Sequence, residues 1–371
     1  MNTFITVVSS VLVFGFLIFI HEFGHYITAR IFHVTIEEFS IGMGPRLISW
    51  VSKKTGIRYS ISLLPIGGFV SMPGENGEYN GESGEEGDEE SDPYASDPNT
   101  FGKKPAWQRF IITAAGAAVN ITAGFLAMVL YTSLVTIGNN TVTLFVDKDT
   151  MSESIGTEVT VSSSDSGLML GDEIIRIGGK RIYIPDEIQY EIMRKGNKPV
   201  DITVLRNGEE ITLKDVVFPT STESDQTFGV MDFKVKAVKK TPWRVIRHSW
   251  CKSTLIVRMC WESLYDLITG RYTLAAVSGP VGISTAIGSA AKAGFLSVLY
   301  ITVLISINLG IMNLLPIPAL DGARVLTILI EMITKKKLPP KVEGAINGIG
   351  LILLLALSAV IMVKDILQLI F

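Results

Sequence analysis

The sequence predicts a polytopic α-helical membrane protein with about four transmembrane helices and one inserted extracytoplasmic β domain. The chain of 371 residues is 47% hydrophobic and only 19% charged, with a mean hydropathy of +0.38. It is therefore too apolar for an ordinary cytosolic enzyme. Residues 139–238, in contrast, form a long polar segment between apolar runs. The composition thus indicates both membrane-embedded and soluble parts.

Four apolar runs are long enough to form membrane-spanning helices, which need roughly 20 residues each. The first run lacks the basic start and the small-residue cleavage pattern of a signal peptide, so we expect it to remain in the protein. Together with their flanks, the runs predict transmembrane helices at residues 1–33, 107–137, 295–334 and 346–371.

Basic residues beside these helices predict the orientation in the membrane. Lys and Arg accumulate in residues 34–106 and again in residues 335–345, and loops enriched in them stay in the cytoplasm. The acidic, Gly- and Ser-rich stretch at residues 75–97 counts little in this rule, and we interpret it as a disordered, solvated insert. The segment between the second and third helices then lies outside the cytoplasm.

Residues 138–238 alternate short β-like runs with turn signals, which predicts a small, mostly β domain. The β-like runs and one helical stretch lie at residues 141–146, 173–177, 186–195 and 200–205. The Gly-Leu…Gly-Asp run within residues 166–175 resembles a PDZ domain of the bacterial protease type. Such domains bind an extended peptide as an added strand, so the resemblance implies a peptide ligand. Without that run, the periodicity supports only a generic β domain.

An amphipathic segment, residues 239–294, follows this domain. Trp243, Trp250, Trp261 and Tyr265 are spread along it. Aromatic residues favour the membrane–water interface, which predicts a location at the outer membrane surface. Docking onto the β domain explains the pattern equally well.

Two histidines stand four residues apart at the end of the first apolar run, in His21-Glu22-Phe23-Gly24-His25. On a helix this spacing puts both imidazoles on one face, where they can hold a zinc ion. Glu22 can then act as the base that accepts a proton from water. Because ionisable side chains in a membrane cost at least roughly 2.5–3.5 kcal/mol each, a cluster of three indicates a functional site.

The third apolar run contains a second motif, at residues 313–322. Pro316 and Pro318 remove backbone donors there, so the helix must open against protein or a wet cavity. Asp321 follows this break as a candidate third metal ligand, and Asn313 can donate a hydrogen bond to a polarised carbonyl. Alternatively, Asp321 lies near the interface or pairs with a cation. A ligand role is favoured because both motifs reach a similar depth near the cytoplasmic side.

The chain as a whole resembles the site-2 protease family of intramembrane zinc metalloproteases, in its bacterial RseP/RasP-like branch. The similarity rests on the two motifs above and on five further segments, at residues 39–45, 64–70, 108–120, 166–175 and 279–283. It implies one zinc ion (Zn2+) per chain, bound by His21, His25 and Asp321. It also implies that Glu22 is the general base and that Asn313 helps to hold the substrate or the oxyanion.

The resemblance further implies how a substrate is held. Residues 64–70 would form a membrane-reentrant β-hairpin that offers a strand edge to an unwound substrate helix. The implied substrate-binding residues, besides Asn313, are Gly67, Gly68, Phe69, Pro316 and Pro318. By its residues alone, the segment at 64–70 has the pattern of an ordinary cytosolic hairpin turn.

The implied substrates are single-span membrane proteins, either anti-sigma factors or remnant signal peptides, cut during regulated intramembrane proteolysis. The implied location is the bacterial cytoplasmic membrane. Two departures from the family pattern limit the comparison. Ala117 replaces a proline before the Asn of the second helix, and only one PDZ-like module fits, where longer Gram-negative relatives carry two. Size exclusion of untrimmed substrates by a tandem pair is therefore not expected.

Two other function classes share some of these features. A metal-binding transporter would need a polar pathway through several helices, whereas the ionisable residues here gather at one level. An inactive membrane scaffold that presents its PDZ-like domain is disfavoured by the intact Glu22. The net charge of −3 gives no basic field and no basic stretch is interleaved with aromatic residues, which argues against nucleic acid as a partner. Cys251 and Cys260 form no Cys-x-x-Cys pair, so a thiolate zinc site is not expected.

Overall fold

The computed structural model of the protein describes residues 2–75, 94, 96–223, 226–271 and 277–370. The α-helices in these ranges are α1 (Asn2–Ile31), α2 (Ala106–Leu134), α3 (Lys148–Ile155), α4 (Pro185–Lys195), α5 (Pro242–Ile268), α6 (Pro280–Ala293), α7 (Phe295–Leu314), α8 (Asp321–Thr334) and α9 (Pro340–Ile370). The strands are β1 (Glu38–Val51), β2 (Arg58–Ser71), β3 (Ile137–Phe145), β4 (Glu173–Ile177), β5 (Lys180–Arg181), β6 (Val200–Arg206), β7 (Glu209–Val216), β8 (Thr220–Glu223), β9 (Gln226–Gly229) and β10 (Phe233–Val238).

Within the described ranges, four helices are long and apolar enough to cross a membrane. The candidate spans are Thr3–Ile31 in α1, Ala106–Leu134 in α2, Phe295–Leu314 in α7 and Val342–Leu367 in α9. Helices suit this environment because all their backbone polar groups bond within the segment. The prediction of a multi-pass helical membrane protein that also contains β sheets is confirmed.

The chain divides into two compact units. The first comprises Met1–Ala127 and Met259–Phe371, and the second comprises Met128–Arg258. Both sequence motifs lie in the first unit. The predicted β domain lies in the second.

The two strands of the first unit bend back on themselves and make a sheet of four paired segments. Residues 38–41 pair in parallel with residues 58–61 and, on their other edge, antiparallel with residues 68–71. Residues 46–51 pair antiparallel with residues 58–62. The predicted hairpin segment is therefore part of a larger sheet rather than a separate turn.

Glycines allow these strands to turn. Gly42 and Gly44 in β1 and Gly67 in β2 all have positive φ angles, which glycine adopts without a steric penalty. A buried apolar cluster then packs this sheet against α1, α2 and α8, and its members are Ala29, Val34, Ile36, Phe39, Ile57, Val70, Met72, Phe101, Ile112 and Ile328. This packing fixes the sheet beside the helix that carries the histidine motif.

The segment predicted as the third transmembrane helix is divided in two. Helix α7 ends at Leu314, and α8 begins only at Asp321, after the two prolines. Gly322 lets the two helices meet closely, since a Cβ on it would lie 2.0 Å from the carbonyl oxygen of Leu315. Gly350 of α9 packs on the same break, where a Cβ would lie 2.1 Å from Cβ of Pro318.

The second unit is built on an antiparallel sheet in the order β10-β3-β4-β6-β7, with β5 paired to β4. Helix α4 packs on it through apolar residues at helical spacing, and Ile188 and Ile192 of this helix are fully buried. Strands β8 and β9 form a hairpin. Three of the predicted segments appear in the structure as β3, β4 and β6, and the helical stretch appears as α4.

The structure bears differently on the predicted acidic insert and on the predicted amphipathic segment. Residues 76–93 and 95 of the predicted acidic insert lie outside the described residues. The amphipathic segment forms α5 and α6, and Trp243, Trp250, Trp261 and Tyr265 of α5 are each more than half exposed, at 72%, 62%, 53% and 68%. Their location at the membrane surface stays a prediction.

Candidate metal centre

Helix α1 presents both histidines of the first motif on one face. The Nε2 atoms of His21 and His25 lie 3.3 Å apart, and both side chains are buried. The spacing produces this arrangement because residues four apart on a helix lie one above the other. Two ring nitrogens thus point into a common space.

Asp321 completes the cluster from the far end of the chain. Its Oδ2 lies 3.0 Å from Nε2 of His21 and 3.3 Å from Nε2 of His25. Because Asp321 is the first residue of α8, the proline break positions its carboxylate. Among the residues that the structure describes, these three side chains are the only group of His, Cys, Asp or Glu that converges closely enough to hold a metal ion.

The three donor atoms suit zinc. Zinc binds imidazole nitrogen and carboxylate oxygen at roughly 2.0–2.2 Å in tetrahedral sites, so neighbouring ligand atoms lie roughly 3.3–3.6 Å apart. The observed separations of 3.0, 3.3 and 3.3 Å are close to this edge length. Two imidazoles and one carboxylate are also a typical set for a catalytic site, which keeps one position open.

Each histidine turns its second ring nitrogen toward a polar group outside the cluster. Nδ1 of His25 lies 2.8 Å from the carbonyl oxygen of Ile112. Nδ1 of His21 lies 3.3 Å from Nδ2 of Asn120. Both partners belong to α2, so this helix orients the two rings.

Glycines let α1 and α2 approach closely at the cluster. A Cβ on Gly116 would lie 2.3 Å from Nε2 of His25 and 2.8 Å from Cε1 of His21. A Cβ on Gly24 would lie 2.6 Å from the carbonyl oxygen of Ala115. Small residues permit such contact between helix backbones in a membrane.

Glu22 lies against the sheet of the first unit. Its side chain is buried, and a Cβ on Gly68 would lie 2.8 Å from Cγ of Glu22. The same Cβ would lie 2.8 Å from the carbonyl oxygen of Ser40. Residues 68–71 therefore pass directly beside the predicted base. In the described sheet, residues 68–71 pair only with residues 38–41.

Of the other predicted substrate-binding residues, Asn313 is the one with a recorded contact to the cluster among the described residues. Nδ2 of Asn313 lies 3.4 Å from both ring nitrogens of His21. Gly67 lies against Met43, and Phe69 is exposed. Pro316 and Pro318 lie in the break between α7 and α8.

An ion pair near the cluster was not anticipated from the sequence. Arg324 lies one turn after Asp321. Its guanidinium donates a hydrogen bond to the carboxylate of Glu75 and another, of 2.5 Å, to the backbone carbonyl oxygen of Glu75. Glu343 of α9 lies 3.8 Å from the same guanidinium. Burial raises the pKa of Glu75 above its ordinary value, although Arg324 acts in the opposite direction. The only feature of the sequence that points to this ion pair is the spacing of Arg324, which lies on the same helical face as Asp321.

Comparisons with known proteins identify the family of the chain. The chain matches the model of peptidase family M50 over residues 9–357. It is 32% identical to a Clostridium acetobutylicum protein named "Putative zinc metalloprotease", over 98% of each chain. It is also 31% identical to the zinc metalloprotease RasP of Geobacillus kaustophilus, over 98% of each chain.

A third relative carries a more specific name. The regulator of sigma-W protease RasP of Bacillus subtilis is 27% identical to the chain, over 97% of this chain and 98% of that protein. The family model covers most of the sequence, including both motifs. The chain therefore belongs to peptidase family M50.

Proposed function

We propose that this M50 peptidase holds zinc with His21, His25 and Asp321 and uses Glu22 as its general base. The protein is a multi-pass membrane zinc metalloprotease of the site-2 class, which hydrolyses peptide bonds within the membrane. Neither a transporter nor an inactive scaffold is supported by this family membership. The observation that carries the residue assignment is the meeting of three donor atoms from α1 and α8.

A zinc ion held by His21, His25 and Asp321 would act as a Lewis acid and would make water easier to deprotonate at neutral pH. Glu22 accepts the proton of the attacking water and delivers it to the amide nitrogen as the carbon–nitrogen bond breaks. The side-chain NH2 of Asn313 donates a hydrogen bond to the carbonyl oxygen, where negative charge develops. Asn313 and Asp321 lie before and after the break between α7 and α8, and both are close to the ring of His21.

The substrate is held as an extended strand. Residues 64–70 act as a membrane-reentrant hairpin, and the edge of residues 68–71 pairs with the unwound substrate backbone. Gly67 and Gly68 let that backbone come close, while Phe69 contacts its side chains. Support comes from the contact between Gly68 and Glu22, because it puts this edge next to the base.

Pro316 and Pro318 contribute to the opposite wall of the substrate site. The two prolines keep the backbone between α7 and α8 irregular, which opens the interior of the membrane to water and substrate. Hydrolysis requires both water and an exposed carbonyl. Substrate helices with Gly, Pro, Asn or Ser near the scissile bond are therefore preferred, since these residues weaken a helix.

The protein lies in the bacterial cytoplasmic membrane with the metal centre near the cytoplasmic side. The basic residues of the loops at 34–106 and 335–345 support this orientation. The second unit is then extracytoplasmic, and its sheet and α4 support a PDZ-like domain that takes an extended peptide. The substrates are single-span proteins, either anti-sigma factors or remnant signal peptides. The name of the Bacillus subtilis relative supports the first class.

Glu22→Gln tests this function. The purified full-length protein is reconstituted into liposomes with single-span substrates of both classes, and cleavage and bound zinc are measured. We expect zinc to stay bound and cleavage to fall by at least about 10²–10⁴-fold, the usual contribution of a general base. Glu209→Gln, an exposed position in the second unit, is the matched control. Cleavage by Glu22→Gln at the wild-type rate would overturn the proposal.

A further inference from the structure

The two ligand histidines face different kinds of group with their second ring nitrogens. Nδ1 of His25 lies 2.8 Å from the carbonyl oxygen of Ile112, which can only accept a hydrogen bond. Nδ1 of His25 therefore carries the proton, and Nε2 presents its lone pair to the cluster. Such a bond fixes the tautomer that binds a metal.

His21 has an amide in the corresponding place. Asn120 of α2 is fully buried, and its Nδ2 lies 3.3 Å from Nδ1 of His21. When Nε2 of His21 is bound to a cation, Nδ1 of the neutral ring must be a donor. An amide NH2 is also a donor, so no hydrogen bond forms between the two groups in this orientation.

The side-chain oxygen of Asn120 can accept the hydrogen bond that its side-chain nitrogen cannot. Oδ1 of Asn120 is buried and has no hydrogen-bond partner among the described residues. Rotating the amide group of Asn120 by about 180° around its Cβ–Cγ bond exchanges Oδ1 and Nδ2 and leaves the shape of the side chain the same. This rotation places an acceptor opposite Nδ1–H of His21, as the carbonyl of Ile112 is placed for His25.

Asn313 does not replace Asn120 in this role. Its Nδ2 lies 3.4 Å from both Nδ1 and Nε2 of His21. An atom equally far from both ring nitrogens lies off the N–H direction of either one, and hydrogen bonds weaken steeply off that direction. Asn313 thus remains free to act on the substrate.

The backbone around Asn120 is itself held in place. Its carbonyl oxygen accepts a hydrogen bond of 2.8 Å from Oγ of Ser306 in α7. Gly116 lies one turn earlier on the same face of α2 and leaves space for both imidazoles. A single face of α2 therefore receives the two rings.

We propose that Asn120 is a positioning residue for the metal centre. Its Oδ1 accepts a hydrogen bond from Nδ1–H of His21 and thereby holds that ring in the tautomer and orientation that bind zinc through Nε2. This inference rests on the proposed function, because it takes zinc as the ion at Nε2 of His21. It adds a residue that acts through a ligand and does not touch the substrate.

Zinc affinity tests the proposal on the purified full-length protein. Competition with a chelator gives the affinities of wild type, Asn120→Leu and Asn120→Asp. The Leu variant has a similar size and no acceptor, so we expect its zinc affinity to fall about 10–100-fold. The Asp variant keeps an acceptor and should bind zinc within a few-fold of wild type. Thr122→Val, an exposed position on α2, is the control.

Nitrogen NMR of histidine-labelled protein gives a second readout, which the small number of four histidines makes practical. Wild type and Asn120→Asp should show a protonated, hydrogen-bonded Nδ1 at His21, and Asn120→Leu should lose that bond. Equal zinc affinities for the Leu and Asp variants would overturn the inference, as would wild-type affinity in the Leu variant. If the Leu variant does not fold, an unprotonated Nδ1 in zinc-loaded wild type overturns it. Absence of zinc from wild type would instead overturn the proposed function.

Discussion

Gly116 of α2 leaves the space that Nε2 of His25 occupies. A Cβ on this glycine would lie 2.3 Å from that nitrogen, which is shorter than any ordinary contact. The absence of a side chain at position 116 is thus a condition for the observed position of the His25 ring.

Gly116→Ala should therefore weaken zinc binding by at least about 10–100-fold, the usual loss when the support of a metal ligand is disturbed. Inductively coupled plasma analysis of purified protein and chelator competition measure this. Gly348→Ala is the matched control, because a Cβ there meets no other atom within 4 Å. Normal zinc content in Gly116→Ala would contradict the arrangement of α1 against α2.

Gly68→Ala should slow cleavage while zinc stays bound. The added Cβ would meet Cγ of Glu22 and the carbonyl oxygen of Ser40, each at 2.8 Å. Either the base or the strand edge must move, and a misplacement of about 1 Å can cost on the order of 10²-fold in rate. Single-turnover cleavage of a reconstituted single-span substrate measures the effect. Gly15→Ala, which meets nothing within 4 Å, should cleave at the normal rate; if Gly68→Ala does so too, the strand does not support Glu22.

Arg324→Leu should destabilise the first unit by about 1–3 kcal/mol, because it leaves the carboxylate of Glu75 without its partner in a buried place. Glu75→Gln in the same chain should restore part of this loss, since it removes the unpaired charge. Thermal unfolding in detergent, followed for both single variants and the double variant, gives the coupling. If the losses of stability in the two single variants simply add up in the double variant, the pair does not hold α8 in place.

The contact between α4 and α5 should depend on pH through Asp186. Its carboxylate lies 2.6 Å from Nζ of Lys252 and 3.4 Å from Nε2 of His248. Burial raises the pKa of Asp186, but these two partners outweigh it and lower the pKa from 3.8 to about 2. Since the folded pKa lies below the unfolded one, the stabilisation is complete above about pH 4 and is lost as the pH falls toward 2.

Asp186→Asn should accordingly lower the stability of this contact by about 2 kcal/mol at pH 7 and have little effect near pH 2. Hydrogen exchange of the α5 backbone in the full-length protein measures the local stability at each pH. Asp149→Asn, on the exposed surface of α3, is the control and should show no change. Equal destabilisation at both pH values would mean that packing rather than charge holds the two helices together.

Local spacing was enough to predict much of the candidate site. His21 and His25 share a face because the helical repeat requires it, and Pro316 and Pro318 open the helix because proline lacks a backbone donor. The four apolar runs likewise predict the spans from length alone. The roles of these residues in binding and catalysis stay predictions.

Contacts between distant segments were harder to predict. The sequence around Gly116 does not indicate that the His25 ring of α1 packs against this glycine. The sequence around Arg324 does not indicate that Glu75 is its ion-pair partner. The bending of β1 and β2 into four segments depends on the φ angles of three glycines, which a pattern of alternating residues does not reveal. His248 lies mostly buried beside Asp186, and no motif in the sequence indicates that contact.

The order of the metal ligands along the chain has a consequence for biosynthesis. His21 and His25 are synthesised long before Asp321. A nascent chain with an incomplete donor set cannot hold its catalytic cation firmly. Under the proposed assignment of His21, His25 and Asp321, the complete donor set exists only after Asp321 has been synthesised and α8 packs beside α1.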